Sequence, residues 1–359
     1  MSKLDYPRIG LLPAGAHDRI SDVAGVTVGH ATLDQGDVQT GVTVIHPHDG
    51  DPFLERVPAA ASVINGFGKS IGLVQLDELG AIETPIALTN TFSVGDVAKA
   101  QLRQAIARHP EIGRDWPTAN PLVFECNDGY LNDIQAFAVR GEHYEQAHAC
   151  ASADFAQGSV GAGRGMSCFQ LKGGIGSASR IAVTNDGRSY TVGALVLANF
   201  GQQSRLRVGG VALGQRLAAA HPKTWPRGSQ EVPDKGSIII ILATDAALDS
   251  RQLRRLSLRA AAGLARTGSV YGHGSGDIAL AFSTAYRIPY APDAAMPAVA
   301  MLHESSLDAF FAAVAEATEQ AIITGLWAAS SVTGRDGHRR AAITELLPAW
   351  RDLLQGAAQ

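Results

Sequence analysis

The stretch Asp234-Lys235-Gly236-Ser237-Ile238-Ile239-Ile240-Ile241-Leu242-Ala243-Thr244-Asp245 decides how the rest of the chain is read. Its β-branched and apolar run is bounded by charged residues and a glycine, long enough for one strand and too short for a helix. A run with no polar alternation reads as a strand buried on both faces. Its first residue is a serine directly behind Gly236, and a polar, proline-bearing loop from His221 leads up to it. Cleavage of the Gly236–Ser237 bond would leave Ser237 with a hydroxyl and a free α-amine at the open end of a rigid strand.

Working outward, Gly25-Val26-Thr27-Val28-Gly29-His30 and Gly41-Val42-Thr43-Val44-Ile45-His46 predict a hairpin across Asp34-Gln35-Gly36-Asp37. Residues 60 to 92 read as mixed, and Asn65-Gly66-Phe67 as a poor strand ending. Ser93 or Asp96 caps a helix through Val97, Leu102 and Ile106, and Leu122–Cys126 is a strand. Asn185-Asp186-Gly187 is the strongest hairpin signal, between Ile181–Thr184 and Tyr190–Asn199. A short helix spans 211–220, Ser250 caps a helix carrying Leu253, Leu256 and Leu264, and Gly272–Asp277 opens a strand from Ile278 to Ser283. From Leu307 to about Trp327 one helical face carries Phe310, Phe311, Val314, Ile322 and Ile323. No repeat and no linker divides the 359 residues, so hairpins and central strands alternating with flanking helices predict one α/β domain of sheets layered between helices.

The chain is 46% hydrophobic with 39 glycines and no Gly-X-Y period, which points to many tight turns and close backbone approaches. A net charge of −4 argues against nucleic acid as a partner. The arginines 251, 254, 255 and 259 recur at helical spacing as a solvated or interface face. Cys126, Cys150 and Cys168 form no Cys-x-x-Cys and read as reduced, buried thiols. With no apolar leader region at the start and no apolar run of membrane-spanning length, the expectation is a soluble, unexported, cytoplasmic protein.

Several signatures are tested and fail. Gly66-Phe67-Gly68-Lys69-Ser70 lacks the first glycine of a phosphate loop, since Val63 stands there. Gly161-Ala162-Gly163 would need glycine at Met166 to cradle a dinucleotide. His143 and His148 are spaced wrongly for a helical metal pair, and His46-Pro47-His48 reads as ordinary surface, so neither cofactor nor metal is expected. Gly68-Lys69-Ser70-Ile71-Gly72 fits the letters of a nucleophile elbow, with Asp277 and His303 or His338 following in order. This leaves an elbow-type esterase using Ser70 as the alternative reading.

The favoured constellation is Gly236-Ser237, Asn199, and Ser275 with Asp277. A freed α-amine has an intrinsic pKa of about 7.7–8 and can take the hydroxyl proton itself. Gly236 would permit a strained turn that exposes its carbonyl to the serine Oγ. Asn199 ends a strand and can offer amide N–H to developing negative charge. Ser275 and Asp277, two apart at a strand start, share a face and can hold the ammonium.

These residues, with Ala198-Asn199-Phe200-Gly201, Gly272-His273-Gly274-Ser275-Gly276-Asp277 and Asp128-Gly129-Tyr130-Leu131-Asn132-Asp133, resemble the L-aminopeptidase/D-amidase/D-esterase family that includes the β-peptidyl aminopeptidases. The resemblance runs from about Gly25 to the C-terminal helix. It implies a precursor cut into an α chain (1–236) and a β chain (237–359) and an αββα sandwich like that of N-terminal nucleophile hydrolases with different strand connectivity. A homotetramer is implied as well. It further implies Ser237 as nucleophile, Asn199 as oxyanion donor, Ser275 and Asp277 as supporting pair, and Tyr130 as a transition-state contact. Some β-peptide-cleaving members carry Glu where this chain has Asp277, which leaves the substrate preference open. The expected reaction is hydrolysis of an amide or ester next to a free amino terminus, in a small peptide, amino-acid amide or amino-acid ester. Glu125, Asp128 and Asp133 are the candidates to bind the substrate ammonium. An acyltransferase on the same architecture is a further alternative.

Overall fold

Eight consecutive buried residues, Ser237–Thr244, run down the middle of a seven-stranded sheet, as their apolar run requires. The computed structural model describes residues 6–220, 236–291 and 293–355, so the expected loop over 221–235 lies outside the described residues. Thr27–Gln35 (β1) and Val38–His46 (β2) form the expected hairpin, with Gln35 opposite Val38 and Gly36-Asp37 at the turn. Next come Glu55–Gly66 (β3), Ile86–Asn90 (β4), the helix Val94–Arg108 (α1), Leu122–Cys126 (β5) and the helix Gly141–Ala149 (α2). The second half supplies Gly174–Val183 (β6), Ser189–Asn199 (β7), Ser237–Thr244 (β8), the helix Ser250–Arg266 (α3), Gly276–Ser283 (β9) and the helix Leu307–Ala328 (α4).

The small sheet has the order β1-β2-β4-β5. The large one runs β3-β9-β8-β7-β6, extended beyond β3 by the short strand Ile288–Pro289 and flanked by Ala81–Ile82. Strand β8 is antiparallel to β7 and parallel to β9, the parallel pair being joined across α3 as a parallel pair must be.

Alternation along β8 sorts the layers. Ile238, Ile240 and Leu242 face a core built with Leu253, Leu256 and Leu264 of α3 and Phe310, Val314 and Ile322 of α4. Ile239, Ile241 and Ala243 face a second core with Ile86 and Leu88 of β4 and Leu122 and Phe124 of β5. The far side of the small sheet, Val42, Val44, Ala87 and Val123, packs on α1 and α2 through Val94, Val97, Tyr144 and Ala147. These are four layers, helix, sheet, sheet and helix. Each fully buried isoleucine of β8 contributes about 1.5–3 kcal/mol. Helix α4 lies close on β6 because a Cβ at Gly176 would stand 1.9 Å from the Ala321 carbonyl oxygen.

Several local expectations change. Strand β3 continues through Ala59-Ala60-Ala61 and Asn65 to Gly66, where the sequence reads as mixed. Alanine has low strand propensity, but the small side chain of Ala60 admits α3, Ser62 Oγ meets Ser257 Oγ at 2.7 Å, and Ala59 and Ala61 pack into the second core. The cap of α3 is Asp249, not Ser250. Its carboxylate accepts from the Gln252 N–H at 2.7 Å and the Gln252 amide returns the contact to the Asp249 N–H. The Asn185-Asp186-Gly187 turn widens to a loop over 184–188, since Thr184 N–H donates to the Arg188 carbonyl and carries the chain past a two-residue turn. Helix α4 is buried on almost every side, with Phe311 only partly covered. No helix among the described residues is long and apolar enough to cross a membrane. Cys126 and Cys168 are buried but Cys150, capping the end of α2, is exposed. His48 is buried and its Nε2 lies 2.7 Å from the Glu55 carbonyl, while half-buried His46 packs its ring at a tilt of 58° against His148, centroids 4.3 Å apart, so these are not surface histidines.

Two parts of the chain on either side of Ser237 interlock. Strand β3 pairs with β9, and Ile9 donates its N–H to Gln320 of α4 at 2.7 Å.

Candidate active site

The antiparallel step from β7 to β8 and the parallel step to β9 bring three strand ends to one level. Asn199 closes β7 opposite Ser237, the first residue of β8, and Ser237 lies opposite Gly276, the first residue of β9. Gly276 donates its N–H to Ser237 Oγ at 3.1 Å. Glycine is required there, because a Cβ would stand 2.7 Å from the Phe67 carbonyl oxygen. Gly236 is also demanded by space. A Cβ on it would meet the Asn199 carbonyl oxygen and Phe200 Cα at 2.4 Å. Close backbone packing thus demands glycine at 236, while the turn expected there begins with residues outside the described ones.

Asn199 is held at both ends of its amide. Its Nδ2 donates to the Asn127 carbonyl at 2.8 Å and its Oδ1 accepts from the Ser167 N–H at 2.8 Å, leaving one amide hydrogen for another acceptor. Ser275 Oγ donates to Asp277 Oδ1 at 2.5 Å, and both side chains are buried. Ser237 and Asn199 keep 5% and 8% of their exposure, enough for solvent to touch them at a largely dry site. Asn65 Nδ2 braces the loop beneath by donating to the Gly272 carbonyl at 3.1 Å.

The carboxylates divide. Glu125, at the end of β5, accepts from the Lys69 N–H at 2.9 Å and from the Thr91 hydroxyl. A Cβ at Gly68 would lie 3.6 Å from Glu125 Oε1 and 3.9 Å from Gly276 Cα, so this carboxylate borders the Ser237 site. Glu125 and Asp277 both raise the Cys126 thiol pKa, after burial, and so make the region negative. Asp128 is fully buried and accepts from Asn132 Nδ2 at 3.0 Å. Asp133 closes a turn by accepting from the Gln135 N–H, and its own N–H reaches the Asp37 carbonyl. The structure therefore brings Ser237, Asn199, Ser275, Asp277 and Glu125 together, while the described contacts of Asp128 and Asp133 serve their loop.

Tyr130 is 39% exposed. Its ring stacks on His338 with centroids 4.6 Å apart, and the Arg340 guanidinium carbon lies 3.7 Å from its centroid. Ser70 Oγ has no hydrogen-bond partner among the described residues. The elbow's strand and helix do flank it, as β3 and Leu73–Leu79, but no histidine is at its hydroxyl to serve as base.

Residue contacts that sequence reading missed are those that fix the others. Lys172 is completely buried and spends its three donors on the carbonyls of Gly163, Met166 and Gly173, at 2.9, 2.9 and 2.6 Å. That knot holds the turn whose Ser167 N–H orients Asn199. Only the density of glycine in 158–165 hinted at such close packing.

The sequence pattern of peptidase family S58 matches residues 18–340. The chain belongs to peptidase family S58. β-Peptidyl aminopeptidase BapA of Sphingosinicella microcystinivorans is 41% identical over 345 residues, covering 90% of this chain and 85% of the relative. The S58 chain also superposes on the crystal structure of the PH0078 protein from Pyrococcus horikoshii OT3 with a TM-score of 0.90, at 46% identity over 98% of each chain. It superposes on the L-aminopeptidase D-Ala-esterase/amidase of Ochrobactrum anthropi with a TM-score of 0.86, at 32% identity over 98% of this chain and 97% of that one. That protein is described as a prototype of the serine aminopeptidases and a new variant of the N-terminal nucleophile hydrolase fold, which agrees with the αββα layers here. This S58 member is accordingly a serine aminopeptidase or amidase.

Burial raises the Asp128 pKa to about 7, against hydrogen bonds from Thr40 and Asn132 that lower it. The folded state then binds a proton that the unfolded state has already released, so stability falls as pH rises from about 4 to about 7. Asp128→Asn, made in a Ser237→Ala background, is expected to flatten this slope. Urea unfolding at pH 5 and pH 7.5 would show a loss smaller by a few kcal/mol, since each tenfold difference in proton affinity between the two states is worth about 1.4 kcal/mol. Identical pH slopes for the two proteins would contradict the assignment.

Proposed function

We propose that this chain cuts itself between Gly236 and Ser237 and then hydrolyses amide or ester bonds next to a free N-terminal amino acid, with Ser237 as nucleophile and its α-amine as base. The observation that carries this reading is the Ser237 hydroxyl held by the Gly276 N–H, in register with a doubly anchored Asn199. In processing, Oγ attacks the Gly236 carbonyl, the peptide C–N bond breaks, and the nitrogen takes the proton. Water then cleaves the ester, giving a carboxylate on Gly236 and a free amine and hydroxyl on Ser237. The chains 1–236 and 237–359 would remain one domain through the β3–β9 pairing and the Ile9–Gln320 contact.

In turnover the amine takes the hydroxyl proton as Oγ attacks, passes it to the leaving amine, and water discharges the acyl-enzyme. Asn199 donates its remaining amide hydrogen to the oxyanion, and Tyr130 supports the same charge. Ser275 and Asp277 hold the Ser237 ammonium in its transient protonated state. Glu125, bordering the site, takes the substrate ammonium, and Asp128 and Asp133 shape its loop. Small peptides, amino-acid amides and esters fit this chemistry, as the names of the relatives do for those proteins. The family resemblance adds a homotetramer, and the buried thiols of Cys126 and Cys168 suit a cytoplasmic setting.

Ser70→Ala separates this from the elbow reading. It is expected to leave kcat/KM on aminoacyl p-nitroanilides within about twofold of wild type. A hundredfold loss, about 2.7 kcal/mol of transition-state stabilisation, would return the chemistry to Ser70.

A further inference from the structure

The C-terminal hairpin carries three arginines, and two of them are neutralised. Arg339 reaches Glu345 at 2.7 Å and Arg335 reaches Asp336 at 2.9 Å. Arg340 pairs with no carboxylate among the described residues. Its Nε donates to Ser167 Oγ at 3.2 Å, its carbon lies over the Tyr130 ring, and its two terminal nitrogens have no hydrogen-bond partner among those residues. Burial pulls its pKa below the usual arginine value, opposed only by Tyr130. A half-buried guanidinium without a counter-charge is costly, and a planar two-nitrogen fork matches a carboxylate.

Its position relative to the reacting atoms is set by short links. Arg340 touches Ser167, the Ser167 N–H holds Asn199, and Asn199 lies opposite Ser237. In a dipeptide, standard bond lengths put the free carboxylate carbon less than about 4 Å from the scissile carbonyl carbon. That span, with a guanidinium–carboxylate contact added to it, suits a cation standing two contacts beyond the oxyanion donor, through Ser167 to Asn199. In a longer peptide an uncharged amide occupies the same place.

We propose that Arg340 is an anion subsite for the free carboxylate of the leaving amino acid, so that dipeptides are the favoured substrates. This rests on Ser237 being the nucleophile. The Tyr130 face orients the guanidinium plane, and Ser167 ties it to the Asn199 clamp.

The test compares kcat/KM for a dipeptide and for its C-terminal amide, sharing the N-terminal residue that wild type releases fastest from a p-nitroanilide. Wild type is expected to favour the free carboxylate by about tenfold or more, the worth of a charge-assisted hydrogen bond. Arg340→Gln is expected to bring the ratio close to one, mostly through KM. Arg340→Lys, which keeps charge but loses the fork, is expected to retain part of it and serves if the glutamine variant fails to fold. A wild-type ratio near one would overturn the proposal. So would equal losses on dipeptide and amide with the ratio intact, which would leave Arg340 a clamp for Tyr130 alone. Failure of the Ser237 reading would show separately, as activity surviving in Ser237→Ala.

Discussion

Ser237→Ala is expected to run as one uncut chain of 37.5 kDa and to lose at least about 10⁴ of wild-type activity on aminoacyl p-nitroanilides. The size of the loss follows from removing two functions with one oxygen. Without Oγ there is no attack on the Gly236 carbonyl, so the α-amine stays locked in a peptide bond and has no basicity. Without Oγ there is also no acyl-enzyme. The substitution removes a single atom from a buried strand end whose neighbours, Ile238 to Thr244, keep all their packing, so the protein is expected to remain folded. A cysteine at this position offers a second check, since a thiolate is an intrinsically better nucleophile. Ser237→Cys is expected to process at a measurable rate.

Asn199→Ala is expected to lower kcat by about 10²–10³ with a much smaller change in KM. The amide is fixed by the Asn127 carbonyl and the Ser167 N–H, so its remaining hydrogen has one direction available and, on the proposed mechanism, meets charge only as it develops. That is why the loss falls on kcat. The same substitution also leaves the half-buried Ser167 N–H without its acceptor, so a thermal melt of the variant is needed alongside the kinetics. Self-cleavage is expected to slow as well, because the Gly236 carbonyl passes through the same tetrahedral charge. An effect on KM alone would assign Asn199 to substrate binding.

The parts of this fold that could be read from the sequence are those governed by local pattern. The Ile238–Leu242 run, the Leu122–Cys126 strand and the β1–β2 turn announce themselves within a few residues. The juxtaposition of the candidate residues was legible in part, because Asn199 and Ser237 each mark a strand end that shows in sequence, whereas the next strand begins at Gly276 and not at Ile278. Strand β3 was not legible, since its small residues answer to packing on both faces, Ala60 and Ser62 under α3 and Ala59 and Ala61 against the second core, and not to strand propensity. Nor was the role of Gly236, whose constraint is the backbone of Asn199 and Phe200, thirty-six residues and more away in the chain. The three carbonyls around Lys172 and the Arg340–Tyr130–Ser167 contacts join segments far apart, and nothing in a single sequence reports that they meet.

The whole account turns on whether the catalyst makes its own amine. Intact-mass analysis of active enzyme, with N-terminal sequencing, tests this most directly. The expected result is two chains whose masses add to the 37.5 kDa precursor plus one water, the second beginning Ser-Ile-Ile. Full activity in a preparation that holds only the uncut chain would contradict it.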